Sequence, residues 1–183
     1  MTKRFKNAYT ALVKAYFDDT LDYMSPCGCA VGNMIAYSLG YSVKKFSSVK
    51  DDDISSTPYI KWKNSKGNYI SGNWGDVIIA GTGKLKDLDF IPQYYIEEIE
   101  STGYSIKEIA LIEQRFAELN GYFPVGKAEH PLLKWEKPKD FKEIPNHEQL
   151  YQLIQFIAEL DGETLELENN PFSKTKERAL ELV

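Results

Sequence analysis

The stretch FKNAYTALVKAY, residues 5–16, places apolar side chains at the spacing of an amphipathic helix. Its apolar positions recur at i, i+3, i+4, i+7, i+8 and i+11, so on a helix they form one continuous stripe. Such a stripe is stable only when other elements cover it. We therefore expect a first helix that ends near Asp18-Asp19 and that packs into a helical core through Phe5, Ala8, Tyr9, Leu12, Val13 and Tyr16.

A second helix is predicted over residues 26–39, one short loop further along the chain. Ser25 suits the N-cap and Pro26 suits the first helical position. Gly40 is a typical residue to end a helix. Because the connection between the two helices is short, we expect them to form a helical hairpin.

Further helices are predicted in the second half of the chain. Ser105 and Glu108 have the S-x-x-E spacing of a capping box, which predicts a helix that runs to Leu119 and stops at Asn120-Gly121. The remaining segments give a helix at 92–100, a proline-containing long loop at 122–145, a helix capped by Asn146 that ends at Asp161-Gly162, and a last helix that opens at Asn170-Pro171.

Residues 41–84 have a different composition, rich in Ser, Asp and Gly. Two β-prone runs, 59–62 and 68–70, flank the turn-like residues 64–67, and 77–80 is a candidate third strand. The sequence therefore predicts a mainly α (α+β) fold and a single domain over 1–183. It consists of a bundle of about six helices with a β-hairpin excursion at roughly 58–80, inside an insertion at about 41–84.

The charge of the chain is unevenly distributed. The chain has 183 residues and a net charge of −5, but its first fifty residues hold seven basic and three acidic side chains, a net of +4. The rest therefore carries −9, which disfavours nonspecific contact with phosphate backbones, so we expect no nucleic-acid partner. The basic first segment could contact an acidic partner or could be a solvated helix face.

Three features of the sequence bear on the cellular setting of the protein. No apolar run approaches the roughly 18 residues of a membrane helix, and the N-terminus lacks the apolar region of a secretory signal. The two cysteines are separated by one glycine, which is no disulfide framework. We expect a cytoplasmic protein without membrane attachment.

Cys27-Gly28-Cys29 lies at the predicted start of the second helix. The first-turn N–H groups and the helix dipole favour a thiolate, which is the arrangement of a cysteine nucleophile. The alternative is that one cysteine is a small buried apolar residue. Residues two apart on a helix lie about 200° apart, so both thiols can serve one pocket only if the helix starts at Gly28 or later.

The stretch CGCAVGNMI, residues 27–35, followed by Gly40-Tyr41, resembles the nucleophile helix of papain-like and bacteriocin-processing cysteine peptidases. The resemblance covers some fifteen residues and implies that Cys27 or Cys29 acts with a histidine base. His130 is the candidate base, since His147 lies in the first turn of a predicted helix, where the dipole disfavours imidazolium. The chain departs from the family pattern because no predicted strand carries the histidine.

A broader pattern joins the Cys-x-Cys-Ala-Val-Gly-Asn helix, the 101–105 turn and a late leucine-rich helix. It resembles small proteins of Bacteroidetes and their phages, for which the resemblance implies an accessory or host-interaction role. Asn33, in the cysteine-bearing helix, and Trp74, in the β-containing segment, are further candidate site residues.

No cofactor or metal is expected. C-x-C and the spacing between His130 and His147 miss the usual zinc patterns, and the glycines at 81–83 lack the complete phosphate-loop motif. Two hypotheses follow. The first is a non-enzymatic protein that binds an unknown protein partner, and the second is a papain-like, cysteine-dependent hydrolase that uses Cys27 or Cys29 with His130.

Overall fold

The computed structural model describes residues 1–23, 28–42, 60–63, 69–72, 93–125, 134–165, 170–173 and 175–181. Within these residues the chain is mainly helical, which confirms the predicted class. The α-helices are α1 (Lys3–Phe17), α2 (Ala30–Ser38), α3 (Gln93–Ser101), α4 (Ile106–Leu119), α5 (Asn146–Leu160) and the short α6 (Lys176–Leu180), with a 3-10 turn at Pro171–Ser173.

Four strands form two separate antiparallel pairs among the described residues. β1 (Ile60–Lys63) pairs with β2 (Tyr69–Gly72), with Ile60 opposite Gly72. β3 (Phe123–Val125) pairs with β4 (Lys134–Glu136), with Phe123 opposite Glu136. The predicted third strand at 77–80, most of the 41–84 insertion and hence the extent of the β excursion lie outside the described residues.

Helix α1 lies at the centre of the packing. It contacts α2, α5 and α6, while α4 packs on α5 and on α2, and α3 packs on α2 and α4. The stripe predicted from 5–16 is largely buried, since Phe5, Tyr9, Leu12 and Val13 are fully covered and Tyr16 is half-buried. No helix among the described residues is long and apolar enough to cross a membrane.

The first two helices end through residues in the left-handed backbone region. Asp19 follows α1 with a φ of 55°, and Gly40 follows α2 with a φ of 71°. In each case the next N–H turns back onto the helix: Thr20 N donates to Ala15 O at 2.8 Å and Tyr41 N donates to Ala36 O at 2.8 Å. These bonds satisfy carbonyls that a helix end leaves open.

Helix α2 begins four residues later than the sequence predicts. Cys29 is its N-cap, with extended backbone angles, and the Cys29 carbonyl accepts the first intrahelical bond from Asn33 N at 3.0 Å. Ser25 and Pro26, the predicted start, lie outside the described residues. Cys29 is therefore not on a helical turn, and the opposed orientation predicted for two helical cysteines does not apply.

Helix α5 also begins differently from the prediction. Asn146 is its first helical residue, Pro145 is the N-cap, and no side chain caps the helix. The Pro145 carbonyl accepts Glu148 N at 2.8 Å and Gln149 N at 2.9 Å. The side-chain amide of Gln149 donates to Ile144 O at 2.9 Å.

The prediction was also wrong in two other segments, 122–145 and the last predicted helix. Residues 122–145 are not one long loop, because β3 and β4 lie within them; Pro124 is tolerated there since both strands of a two-stranded sheet are edges. The predicted last helix is divided into the 3-10 turn and α6. Asn170 does come directly before the first of these two elements, and its Oδ1 accepts the N–H of Phe172 at 3.0 Å.

Candidate functional site

Cys29 is used to cap a helix. Its sulfur accepts the N–H of Gly32 at 3.3 Å, in the place where a serine or aspartate oxygen is usually found. The residue is 2% exposed and belongs to the hydrophobic core. The thiol therefore sits at a helix N-terminus, as predicted, but it is not presented to a substrate in solution.

Asn33 organises the chain in front of α2. Its amide nitrogen lies 2.6 Å from Gly28 O, 3.0 Å from Cys29 O and 3.4 Å from Thr20 O. The Thr20 hydroxyl lies 3.5 Å from Asn33 Oδ1. Asn33 is 3% exposed, and Gly28 and Cys29 are buried as well, so the bonds to these two residues are shielded from water. Its role in this geometry is structural.

The connection between α1 and α2 is closed at its base. Asp22 N donates to Gly28 O at 2.8 Å, and Gly28 O is the same atom that Asn33 holds. The closed segment contains Cys27, which lies outside the described residues. Of the two cysteines, the structure describes Cys29 alone, as a buried N-cap.

Aromatic rings from three parts of the chain meet beside this connection. Tyr23 stacks on Tyr122, with ring centroids 4.8 Å apart, and makes an edge contact with Phe116 at 5.9 Å. Phe123 makes an edge contact with Phe141 at 6.2 Å. We call Tyr23, Tyr122, Phe123 and Phe141 the aromatic surface, because three of them are half-buried and Phe123 is 37% exposed.

The segment 137–141 is held against this surface by close packing. Gly121 has a φ of 86°, and a Cβ there would lie 2.6 Å from Cδ1 of Phe141, so only glycine permits the approach. The Lys137 ammonium lies 5.8 Å from the Tyr122 ring centroid and 5.2 Å from that of Phe141. It also pairs with Glu143 at 2.5 Å.

The histidines lie in different settings. His147 is in the first turn of α5, as predicted, and its carbonyl accepts Asn170 Nδ2 at 3.0 Å. His130 and Trp74 lie outside the described residues. Strands β3 and β4 nevertheless flank the segment 126–133 that contains His130, where the sequence predicted no strand.

The sequence reasoning missed an ionic cluster around Arg4. Arg4 Nη2 lies 2.8 Å from Asp161 Oδ1 and 3.0 Å from Glu108 Oε1, and the guanidinium carbon lies 4.5 Å from the Tyr104 ring centroid. Thr2 donates its hydroxyl to Asp161, whose side chain is 0% exposed. The capping-box glutamate was the available signal, but its basic partner is more than one hundred residues away in sequence.

The environment of this cluster alters its titration. Burial alone would raise the pKa of Glu108, but hydrogen bonds from Ser105 and the contact with Arg4 outweigh it and lower the pKa below its ordinary value. Burial raises the pKa of Tyr104, and the Asp161 charge acts in the same direction. The cluster joins α1 to the start of α4 and to the end of α5, so we interpret it as a structural tie.

The described residues contain no group of three or more His, Cys, Asp or Glu side chains placed to hold a metal. Comparison of the chain with protein-family models, with curated proteins and with solved structures finds no match. The functional interpretation therefore depends on the geometry of the chain itself.

Proposed function

We propose that this chain is a non-enzymatic protein-binding protein and that the aromatic surface contacts the partner. The observation that carries the proposal is the grouping of Tyr23, Tyr122, Phe123 and Phe141 at the edge of the main core, with Phe123 37% exposed. Aromatic side chains are enriched at protein interfaces, where they bury much area at small entropic cost.

The use of Cys29 and Asn33 supports the same interpretation. Each is at most 3% exposed, and each is engaged in holding the start of α2. A side chain committed to local structure in this way is a poor candidate for catalysis. A cytoplasmic setting and an accessory role in a phage or its bacterial host, which the sequence resemblance implied, are part of the proposal.

Site-specific photo-crosslinking tests the proposal. A photoreactive phenylalanine analogue replaces Phe123 in one variant and Leu111 in another, which is 45% exposed on α4 and serves as the matched control. In native host cells, position 123 should give a discrete adduct with another protein, and position 111 should not. The absence of a discrete adduct from 123, or equal adducts from both positions, would contradict the proposal.

A cysteine-dependent hydrolase is the second candidate, and one observation favours it. Strands β3 and β4 come directly before and directly after the segment that contains His130, in a region where the sequence predicted only a loop. Because Cys29 is a buried cap, we assign the nucleophile of this candidate to Cys27, with His130 as its base. The sequence allowed either Cys27 or Cys29 as the nucleophile, and this candidate uses Cys27 alone.

Alkylation kinetics test this second candidate. Mass spectrometry of the folded protein follows iodoacetamide labelling of each cysteine across pH. The hydrolase candidate requires that Cys27 react fast with an apparent pKa well below the thiol value of about 8.5, while Cys29 stays unlabelled until the protein unfolds. If Cys27 is as inert as Cys29, the hydrolase candidate fails and the binding proposal is unaffected.

A further inference from the structure

The solvent side of α1 is uniformly basic. The exposed side chains of α1 are all lysines, namely Lys3, Lys6 and Lys14, while its other side chains are half-buried or buried. At 100° per residue these positions fall within an arc of about 80°, and at 1.5 Å per residue Lys3 and Lys14 are about 16 Å apart along the axis. We call these three residues the lysine face.

The charges of the lysine face are not neutralised within the described part of the chain. Lys3, Lys6 and Lys14 form no ion pair with a described residue, and no Asp or Glu occurs between Lys3 and Phe17. Arg4 differs, because it is engaged by Glu108 and Asp161. The Lys14 ammonium lies 5.4 Å from the centroid of the Tyr37 ring, which restrains that lysine.

We propose that the lysine face docks an acidic segment of a partner protein. The chain has a net charge of −5, so the charge of this face is opposite in sign to that of the chain as a whole. Complementary charge attracts an acidic segment and fixes its orientation, and it repels basic ones. This surface is separate from the aromatic surface, and its test does not depend on the function proposed above.

A nucleic acid fits the face less well. Proteins that bind duplex DNA through its backbone commonly neutralise about six to ten phosphates, whereas this face has three cations. Asp19 is exposed immediately after α1 and would repel a phosphate backbone that continues beyond the face. A short acidic peptide needs to extend over only the length of the face.

Fluorescence anisotropy with a labelled octaglutamate peptide at low ionic strength tests the proposal. The charge-reversed variant Lys3→Glu/Lys6→Glu/Lys14→Glu should bind the peptide about tenfold or more weakly than the parent protein. The matched control is Lys107→Glu/Lys139→Glu/Lys142→Glu, which makes the same change of net charge at three other exposed lysines. It should retain binding within about threefold, as should a Phe123→Ser variant.

Three further measurements keep the test decisive. Circular dichroism verifies that each variant is folded, and a Lys→Gln version of the triple replaces the reversed one if it is not. Equal loss in both charge-reversed variants would overturn the proposal, because net charge would then explain the binding. Tighter binding of an octathymidylate oligonucleotide than of the peptide would also overturn it, as would self-association of the protein that the reversal abolishes.

Discussion

The buried side-chain amide of Asn33 orders the chain at the start of α2. Asn33 holds the carbonyl oxygens of Gly28 and Cys29, and Gly28 O also receives the N–H of Asp22. Each of these two carbonyls also accepts a backbone N–H, so the amide adds a second bond to each, with a net contribution of about 0.5–1.5 kcal/mol per bond. The sequence marks Asn33 as polar among apolar neighbours, but its partners lie on the preceding loop and are visible only in the fold.

We expect Asn33→Ala to lower the free energy of unfolding by about 2 kcal/mol, because the hydrogen bonds from the side-chain amide to Gly28 O and Cys29 O are lost, each with a net contribution of about 0.5–1.5 kcal/mol. The matched control is Asn7→Ala on α1, which makes the same change in helix propensity at a half-exposed position. It should leave stability unchanged or slightly raised. Urea denaturation measures both, and equal effects of the two substitutions would show that the amide of Asn33 is not a structural clamp.

At the scale of elements, local signals predicted best. The capping box of α4 forms as expected: Ser105 N donates to Glu108 Oε2 at 2.8 Å and Glu108 N donates to Ser105 Oγ at 3.3 Å. Both partners are three residues apart, so the sequence contains the whole motif. The predicted start of α2 was wrong because Cys29, and not Ser25, is the N-cap, with the Cys29 sulfur accepting the N–H of Gly32.

Interactions between distant segments could not be predicted in the same way. Strands β3 and β4 are three residues each, too short for a clear alternation, and Pro124 argued against a strand. The meeting of Arg4 with Glu108 and Asp161 depends on how three helices pack, which no local pattern encodes. For the candidate site, the sequence located Cys29 at a helix N-terminus but could not reveal that the thiol is buried.

The tie between α1, α4 and α5 gives a prediction at this scale. Since the pKa of Glu108 is lowered in the folded protein, its contribution to stability is present above the unfolded pKa and is lost as pH falls through the folded value. The stability difference between the parent and Glu108→Gln should therefore shrink as pH falls from about 6 to about 3. Urea denaturation across this range measures it, and a constant difference would contradict the assigned cause.

Replacing the basic partner tests the same tie from the other side. Arg4→Met keeps much of the side-chain volume but leaves the fully covered Asp161 carboxylate without its cation. We expect a loss of about 2 kcal/mol at pH 7, below the roughly 3–5 kcal/mol cost of breaking a fully buried ion pair, because Arg4 is itself partly exposed. In this variant the pH dependence due to Glu108 should be weaker but not absent, since the Ser105 bonds remain.

At the scale of the whole molecule, α1 joins the two ends of the described chain. The Tyr9 hydroxyl donates to Ala179 O at 2.7 Å, and the Tyr9 and Phe172 rings lie 6.0 Å apart. Lys176 pairs with Asp18 at the other end of α1. Helix α6 has only five residues, so it depends on these contacts more than on its own helical bonds.

Two buried tyrosines, Tyr9 and Tyr104, predict how the fold responds to alkali. Burial raises the pKa of Tyr9 from 10.0 to about 12 and raises that of Tyr104 as well. A group whose pKa is higher in the folded state favours folding below its unfolded pKa, and that contribution is lost as pH rises from the unfolded to the folded value. Stability should thus fall steeply above about pH 10.

The variant Tyr9→Phe should lower the free energy of unfolding by about 1 kcal/mol at pH 7, because it removes the hydrogen bond to Ala179 O. It should also make the loss of stability at alkaline pH less steep, and adding Tyr104→Phe should reduce the slope further. Urea denaturation from pH 8 to pH 12 measures the slopes, and a double variant as steep as the parent would refute the assignment of alkaline unfolding to these phenols.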